Sequence, residues 1–235
     1  MADGGLRGQV VDAIAESIET CAVPHPLRVA VDGRTASGKT TLADEVATVL
    51  RLCGHQVIRT SVDGFHRPRA ERYRRGRHSP EGYLDDARDW GAIRHLLLDP
   101  LGPGGDRWYR TAIFDLDRDQ PLAQSAVRAD PGAVVIVDGT FLQRDELAGA
   151  WDFAIFVEVS ESVAVSRGAA RDAAHLGGMA AAREMHERRY QPAFAIYDAR
   201  CRPTERAHLV IGNDDPAGPC ILRHRRPARA ATVFA

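Results

Sequence analysis

Lysine is almost missing from this sequence. Of 31 lysine and arginine residues, 30 are arginine and only Lys39 is lysine. Other scarcities narrow the function. The four cysteines, Cys21, Cys53, Cys201 and Cys220, form no C-x-x-C pair, which points to reduced thiols and a cytoplasmic setting. No apolar run approaches the roughly 20 residues of a membrane helix, and no signal peptide opens the chain, so no membrane role is expected. The formal net charge is −1, so no global basic field would draw in nucleic acid. The guanine-reading pattern N-K-x-D is also missing, because Asn213-Asp214 lacks the lysine, which argues against a switch-type GTPase.

The one lysine lies in Gly33-Arg34-Thr35-Ala36-Ser37-Gly38-Lys39-Thr40, which reads G-x-x-x-x-G-K-T. An ammonium is a compact point charge that fits against β- and γ-phosphates, where a planar guanidinium fork is too wide. The glycines let backbone N–H groups turn inward around phosphate oxygens, and the following helix offers its positive N-terminus. Gly33, Ala36, Ser37, Gly38, Lys39, Thr40 and Thr41 are therefore the expected nucleotide contacts, with the Thr40 hydroxyl on Mg²⁺. The context fits. Residues 27–32 form a short apolar, β-branched run that reads as a buried strand. Leu42, Val46, Val49 and Leu50 share one helix face, and Gly54 ends that helix.

Along the rest of the chain, an amphipathic helix is predicted over 6–20, and Pro24 and Pro26 break it from the first strand. Further strands are predicted at 57–62, 134–137, 153–159 and 209–211. Helices are predicted near 87–98, 161–173 and 180–197. Residues 64–82 read as a polar, arginine-rich loop, and 100–105 as a turn-rich connection. Strands alternating with helices imply an α/β fold, a mostly parallel sheet with helices on both faces. Residues 217–235 read as a basic tail. It is either a solvated, frayed end or a contact for RNA or acidic lipid.

In such sheets ligands bind at the carboxyl ends of the strands. Asp138 follows four apolar residues, a Walker B pattern, and its carboxylate can hold Mg²⁺ directly or through water. Asp63 ends the second strand. It is either the base that takes a proton from an attacking hydroxyl or an Asx turn before Gly64. His66 is either a substrate contact or an exposed loop histidine.

These residues give the chain a resemblance to the uridine kinase and phosphoribulokinase-like family of P-loop kinases. The resemblance runs from about residue 27 to 216 and rests on four anchors: 31–40, Ser61-Val62-Asp63-Gly64-Phe65-His66, Val137-Asp138-Gly139-Thr140-Phe141-Leu142, and Arg167-Gly168-Ala169-Ala170-Arg171-Asp172. It implies a three-layer P-loop fold over 27–216, with a small lid at about 165–190 and an N-terminal helix within 1–26. It implies that Asp63 activates the acceptor hydroxyl, and that Arg167 and Arg171 close from the lid over the phosphates. The spacing i, i+4 puts both guanidiniums on one helix face. The substrate region departs from the family. Uridine kinases have a tyrosine followed five residues later by a base-reading histidine, whereas Tyr109 is followed at that spacing by Phe114. Tyr109 remains a candidate to stack on a ring. Asp85 and Asp86 are the candidates for the ribose hydroxyls, Asp86 first, and each could equally cap the helix that follows.

The expected activity is ATP- and Mg²⁺-dependent phosphorylation of a hydroxyl on a small metabolite, a nucleoside first. Pantothenate, a phosphorylated sugar or a ribosylated vitamin is the alternative acceptor. A nucleotide-binding regulatory protein with weak ATPase activity is the rival of another class. Homo-oligomeric assembly is left open.

Overall fold

The computed structural model describes residues 5–225. Strand β1 (Leu27–Gly33) is buried at every position, as a strand covered on both faces must be. Around it β2 (Val57–Ser61), β3 (Val134–Asp138), β4 (Phe153–Glu158), β5 (Leu209–Gly212) and β6 (Cys220–His224) complete one sheet in the order β6-β5-β4-β1-β3-β2. All neighbours pair in parallel except β6, which runs antiparallel to β5 at the edge.

Helices cover both faces. On one face α1 (Leu6–Glu19) and α2 (Lys39–Leu52) bury Ile14, Ile18, Leu42, Val46 and Leu50 against Val29, Val31 and Ile136. On the other face Leu84, Ile93, Leu97, Phe141, Phe194 and Tyr197 pack over Ala30, Val135 and Val137. The chain is thus a three-layer α/β sandwich. After β4, helices α3 (Glu161–Leu176) and α4 (Met179–Met185) fold back on each other. A wider π-type turn at His186–Tyr190 leads into α5 (Gln191–Cys201).

Register positions the site. Val31 of β1 and Ser61 of β2 both lie opposite Asp138 of β3. The loops leaving these three strands therefore open at the same sheet edge.

Several elements differ from the sequence reading. The helix expected at 180–197 is three pieces, and the one at 87–98 is Trp90–Ile93 followed by a π-type turn at Arg94–Leu98. Small antiparallel pairs, Trp108–Tyr109 with Val127–Arg128 and Phe114–Asp115 with Gln120–Pro121, fill the connection that follows. Within the stretch read as a tail, Cys220–His224 is the sheet's antiparallel edge strand; residues 226–235 lie outside the described residues.

Candidate active site

The loop between β1 and α2 is held open by its own chain. Gly38 has φ +90°, and a Cβ there would stand 2.6 Å from Asn213 Nδ2. That amide donates to the Ser37 carbonyl at 2.7 Å, tying the loop to the end of β5. Ala36 takes a positive φ of 65°. Lys39 is only 7% exposed, and Nζ donates to the Arg34 carbonyl at 2.5 Å, spanning the loop's mouth. Burial pushes its pKa down, against the pull of Asp138 and the other anions nearby.

Thr40 starts α2 with its hydroxyl donating to Asp138 Oδ2 at 2.6 Å. The other oxygen, Oδ1, lies 2.7 Å from Arg59 Nη1. A hydroxyl and one carboxylate are hard oxygen donors, the set Mg²⁺ takes when phosphates and waters complete its octahedron. Among the described residues no group of three or more His, Cys, Asp or Glu is placed to hold a metal.

Asp63 follows β2, and its Oδ1 accepts from Arg88 Nη2 at 2.8 Å. Although 59% of its side-chain surface meets solvent, the carboxylate stands in a concave cleft. The surrounding protein pushes its pKa up, but Arg88, then His66, more than offset this and hold it at about 2. The carboxylate is ionised at any physiological pH. His66 is buried, and its Nδ1 donates to the Asp63 carbonyl at 2.8 Å, which leaves Nε2 as the unprotonated nitrogen. Burial and then Arg88 bring its pKa down to about 4. It is neither an exposed loop residue nor a charged one.

Lys39, Thr40, Asp63, His66, Asp138 and Arg171 line one cleft of about 320 Å³. Sequence reasoning missed two further arginines there. Arg88 is 3% exposed, and its Nε and Nη1 have no hydrogen-bond partner among the described residues. Arg189, also 3% exposed, donates to the carbonyls of Arg77 and Arg72. Both guanidiniums stack on the Tyr83 ring, at 5.4 and 5.5 Å from its centroid. The Tyr83 hydroxyl lies 3.2 Å from the Thr35 hydroxyl in the phosphate loop.

Of the expected residues, Gly33, Ser37, Gly38 and Thr41 flank the cleft's lining without entering it, and three others lie elsewhere. Arg167 donates to the carbonyls of Asn213 and Asp214 at 2.9 and 2.6 Å, so it braces the loop after β5. Asp86 is buried in ion pairs with Arg74 and Arg75 at 3.0 and 2.8 Å. Tyr109 packs against the core beside the Trp108–Tyr109 pair. Asp32, completely buried at the end of β1, is structural. It accepts from the Gly33 and Phe141 amides, Gln143 and the Tyr197 hydroxyl, and burial raises its pKa.

No family model matches the chain. It is 29% identical over 184 residues to uridine-cytidine kinase B of Dictyostelium discoideum, covering 77% of this chain and 73% of that protein. It is 26% identical to a chloroplastic uridine/cytidine kinase of Arabidopsis thaliana over 80% of this chain, but spans only 38% of that longer protein. A solved structure of a possible uridine kinase from Bacillus stearothermophilus superposes with a TM-score of 0.69, at 22% identity, over 86% of this chain and 97% of that one.

Proposed function

We propose that this chain, which resembles the uridine kinase and phosphoribulokinase-like family of P-loop kinases, transfers the γ-phosphoryl group of ATP to a hydroxyl of a small metabolite, a nucleoside first of all. One observation carries this reading: Lys39, Asp63 and Asp138, delivered by three different strands, line the same cleft. Bound Mg²⁺ supplies charge neutralisation across the β- and γ-phosphates. Thr40 and Asp138 would hold it. Lys39 and the amides of residues 36–41, with Gly33 behind them, would hold the donor phosphates.

Asp63 orients the acceptor hydroxyl and takes its proton. A carboxylate with a pKa of about 2 is a weak base. The proton therefore passes late, once the new oxygen–phosphorus bond has made the hydroxyl acidic. His66 offers Nε2 as an acceptor for a substrate donor. Arg171 approaches the transferring group from α3, and Arg167 contributes by bracing the adjacent loop. For Asp86 and Tyr109 as substrate contacts the support is the family resemblance alone. The kinase unit is proposed to span 27–216 with a lid at about 165–190. A cytoplasmic location is supported by the absence of any disulfide among the described residues.

A specific observation favours a second acceptor class. Arg88 and Arg189 are buried cations around one tyrosine, with only Asp63 as a carboxylate partner between them. A buried unpaired guanidinium is costly unless an anion meets it. Of the alternative acceptors, pantothenate or a phosphorylated sugar would supply that anion. An ATP-consumption screen over nucleosides, pantothenate, ribosylated vitamins and pentose phosphates tests both acceptor classes. At least one acceptor should raise ADP formation well above the background hydrolysis. A rate unchanged by every acceptor would contradict the kinase reading.

A further inference from the structure

Gly168 sits in the middle of α3, where glycine costs roughly 1 kcal/mol relative to alanine. Its neighbour explains it. The His186 ring occupies the space where a Cβ on Gly168 would stand, so only glycine lets this histidine lie against the helix. The ring is completely buried. Its Nε2 lies 2.9 Å from Asp172 Oδ2, one helical turn beyond Gly168. A carboxylate only accepts, so Nε2 carries the proton and donates. Asp172 in turn grips Arg171 as a fork: Nε donates to Oδ1 at 2.7 Å and Nη2 to Oδ2 at 3.0 Å. Both Arg171 and Asp172 line the cleft. Behind the histidine, Tyr190 meets the ring edge-on at 4.9 Å and itself packs 4.7 Å from Tyr83.

The other nitrogen decides between filler and function. His186 Nδ1 is buried without a hydrogen-bond partner among the described residues. A ring needed only to fill space would be better apolar, since burying an unsatisfied polar atom is unfavourable. The donation from Nε2 to Asp172 is the one polar contact that offsets it. On the phosphoryl-transfer reading above, we infer that His186 is a positioning residue that sets the Arg171 guanidinium at the cleft by fixing Asp172. When Arg171 swings from Asp172 to the transferring phosphoryl group, His186 keeps the carboxylate paired and in place for its return.

The test compares His186→Gln, whose amide nitrogen can still donate at the Nε2 position, with His186→Leu, which keeps volume but donates nothing. His186→Leu should lower kcat on the order of 10- to 100-fold, the effect of a small misplacement of a catalytic group, with KM for ATP little changed. His186→Gln should recover most of that loss. In an Arg171→Ala background, His186→Leu should cost nothing further, because its target is gone. Equal damage from Gln and Leu, or full additivity with Arg171→Ala, would overturn the assignment. If His186→Leu does not fold, Asp172→Asn carries the same double-variant test, and an undiminished kcat in that variant would equally overturn it. A readout independent of turnover separates this inference from the kinase reading. The hydrogen-bonded imidazole N–H proton of His186 should appear downfield by NMR and vanish in Asp172→Ala, which removes the acceptor. It should shift when an ATP analogue with a non-hydrolysable β–γ bridge binds with Mg²⁺. A signal that ignores both changes refutes the relay even if no acceptor has been found.

Discussion

Lys39 and His66 show how environment gives single side chains their roles. Lys39 is buried at the mouth of a loop whose carbonyl it already engages, and only a compact cation reaches there. Lys39→Arg should therefore reduce phosphoryl transfer by about 100-fold or more, the cost of removing one preorganised electrostatic group. Amine-directed acylation of Lys39 should be slowed by ATP, and equal labelling with and without ATP would contradict the phosphate-loop assignment. His66 has its pKa brought from 6.5 to about 4 by burial and Arg88. Between those values the unfolded chain binds a proton there that the folded chain refuses. Stability is complete above about pH 6.5 and falls as pH drops toward 4, by about 3 kcal/mol at about 1.4 kcal/mol per pKa unit. Urea midpoints at pH 7 and pH 5 should show this slope, and His66→Gln should flatten it. Asp63 contributes in the same direction at lower pH: its stabilising charge is lost as pH falls from about 4 through about 2.

Helix α3 joins packing to chemistry over a single turn. Gly168 admits the His186 ring, and Asp172, four residues on, takes the proton-bearing nitrogen and hands its other contacts to Arg171. Gly168→Ala forces a methyl into the ring. It should destabilise the protein by about 1–3 kcal/mol, as overpacking does, and loosen α3 from the His186–Tyr190 turn. Thermal or urea unfolding measures it, and an unchanged or raised stability would mean that the ring can move aside without loss. The i, i+4 spacing of Arg167 and Arg171 shows the limit of periodicity. It sets which helix face the two Cα atoms share, but the long side chains diverge: one reaches the cleft and the other the carbonyls of Asn213 and Asp214.

Taken as a molecule, the chain carries its fold and its proposed phosphate site openly. Strand β1 ends in Gly33, β3 in Asp138 and β2 two residues before Asp63, and parallel register brings those ends together. Lys39 is readable because it is alone, and Asp63 and Asp138 because each closes an apolar run. Arg59, Arg88 and Arg189 were not readable. In a sequence with 30 arginines no single arginine is a signal, and these three act through contacts made far along the chain. Strand β6 was hidden for a different reason. It is an edge strand with exposed Ile221 and Leu222 and flanking charges, so it lacks the buried run that marks the inner strands. The proposed acceptor end of the cleft is where local patterns say least, because Asp86 pairs with Arg74 and Arg75 while Arg88 and Arg189 line the cleft. The central claim is that Asp63 directs the γ-phosphoryl group of ATP to a hydroxyl. Transfer of label from γ-labelled ATP to the acceptor found by screening, in wild type and in Asp63→Asn, tests it most directly. Wild type should label the acceptor, and Asp63→Asn should bind ATP as tightly while losing transfer by about 10²- to 10⁴-fold, the range of a lost general base. Labelling by Asp63→Asn at the wild-type rate would contradict the account.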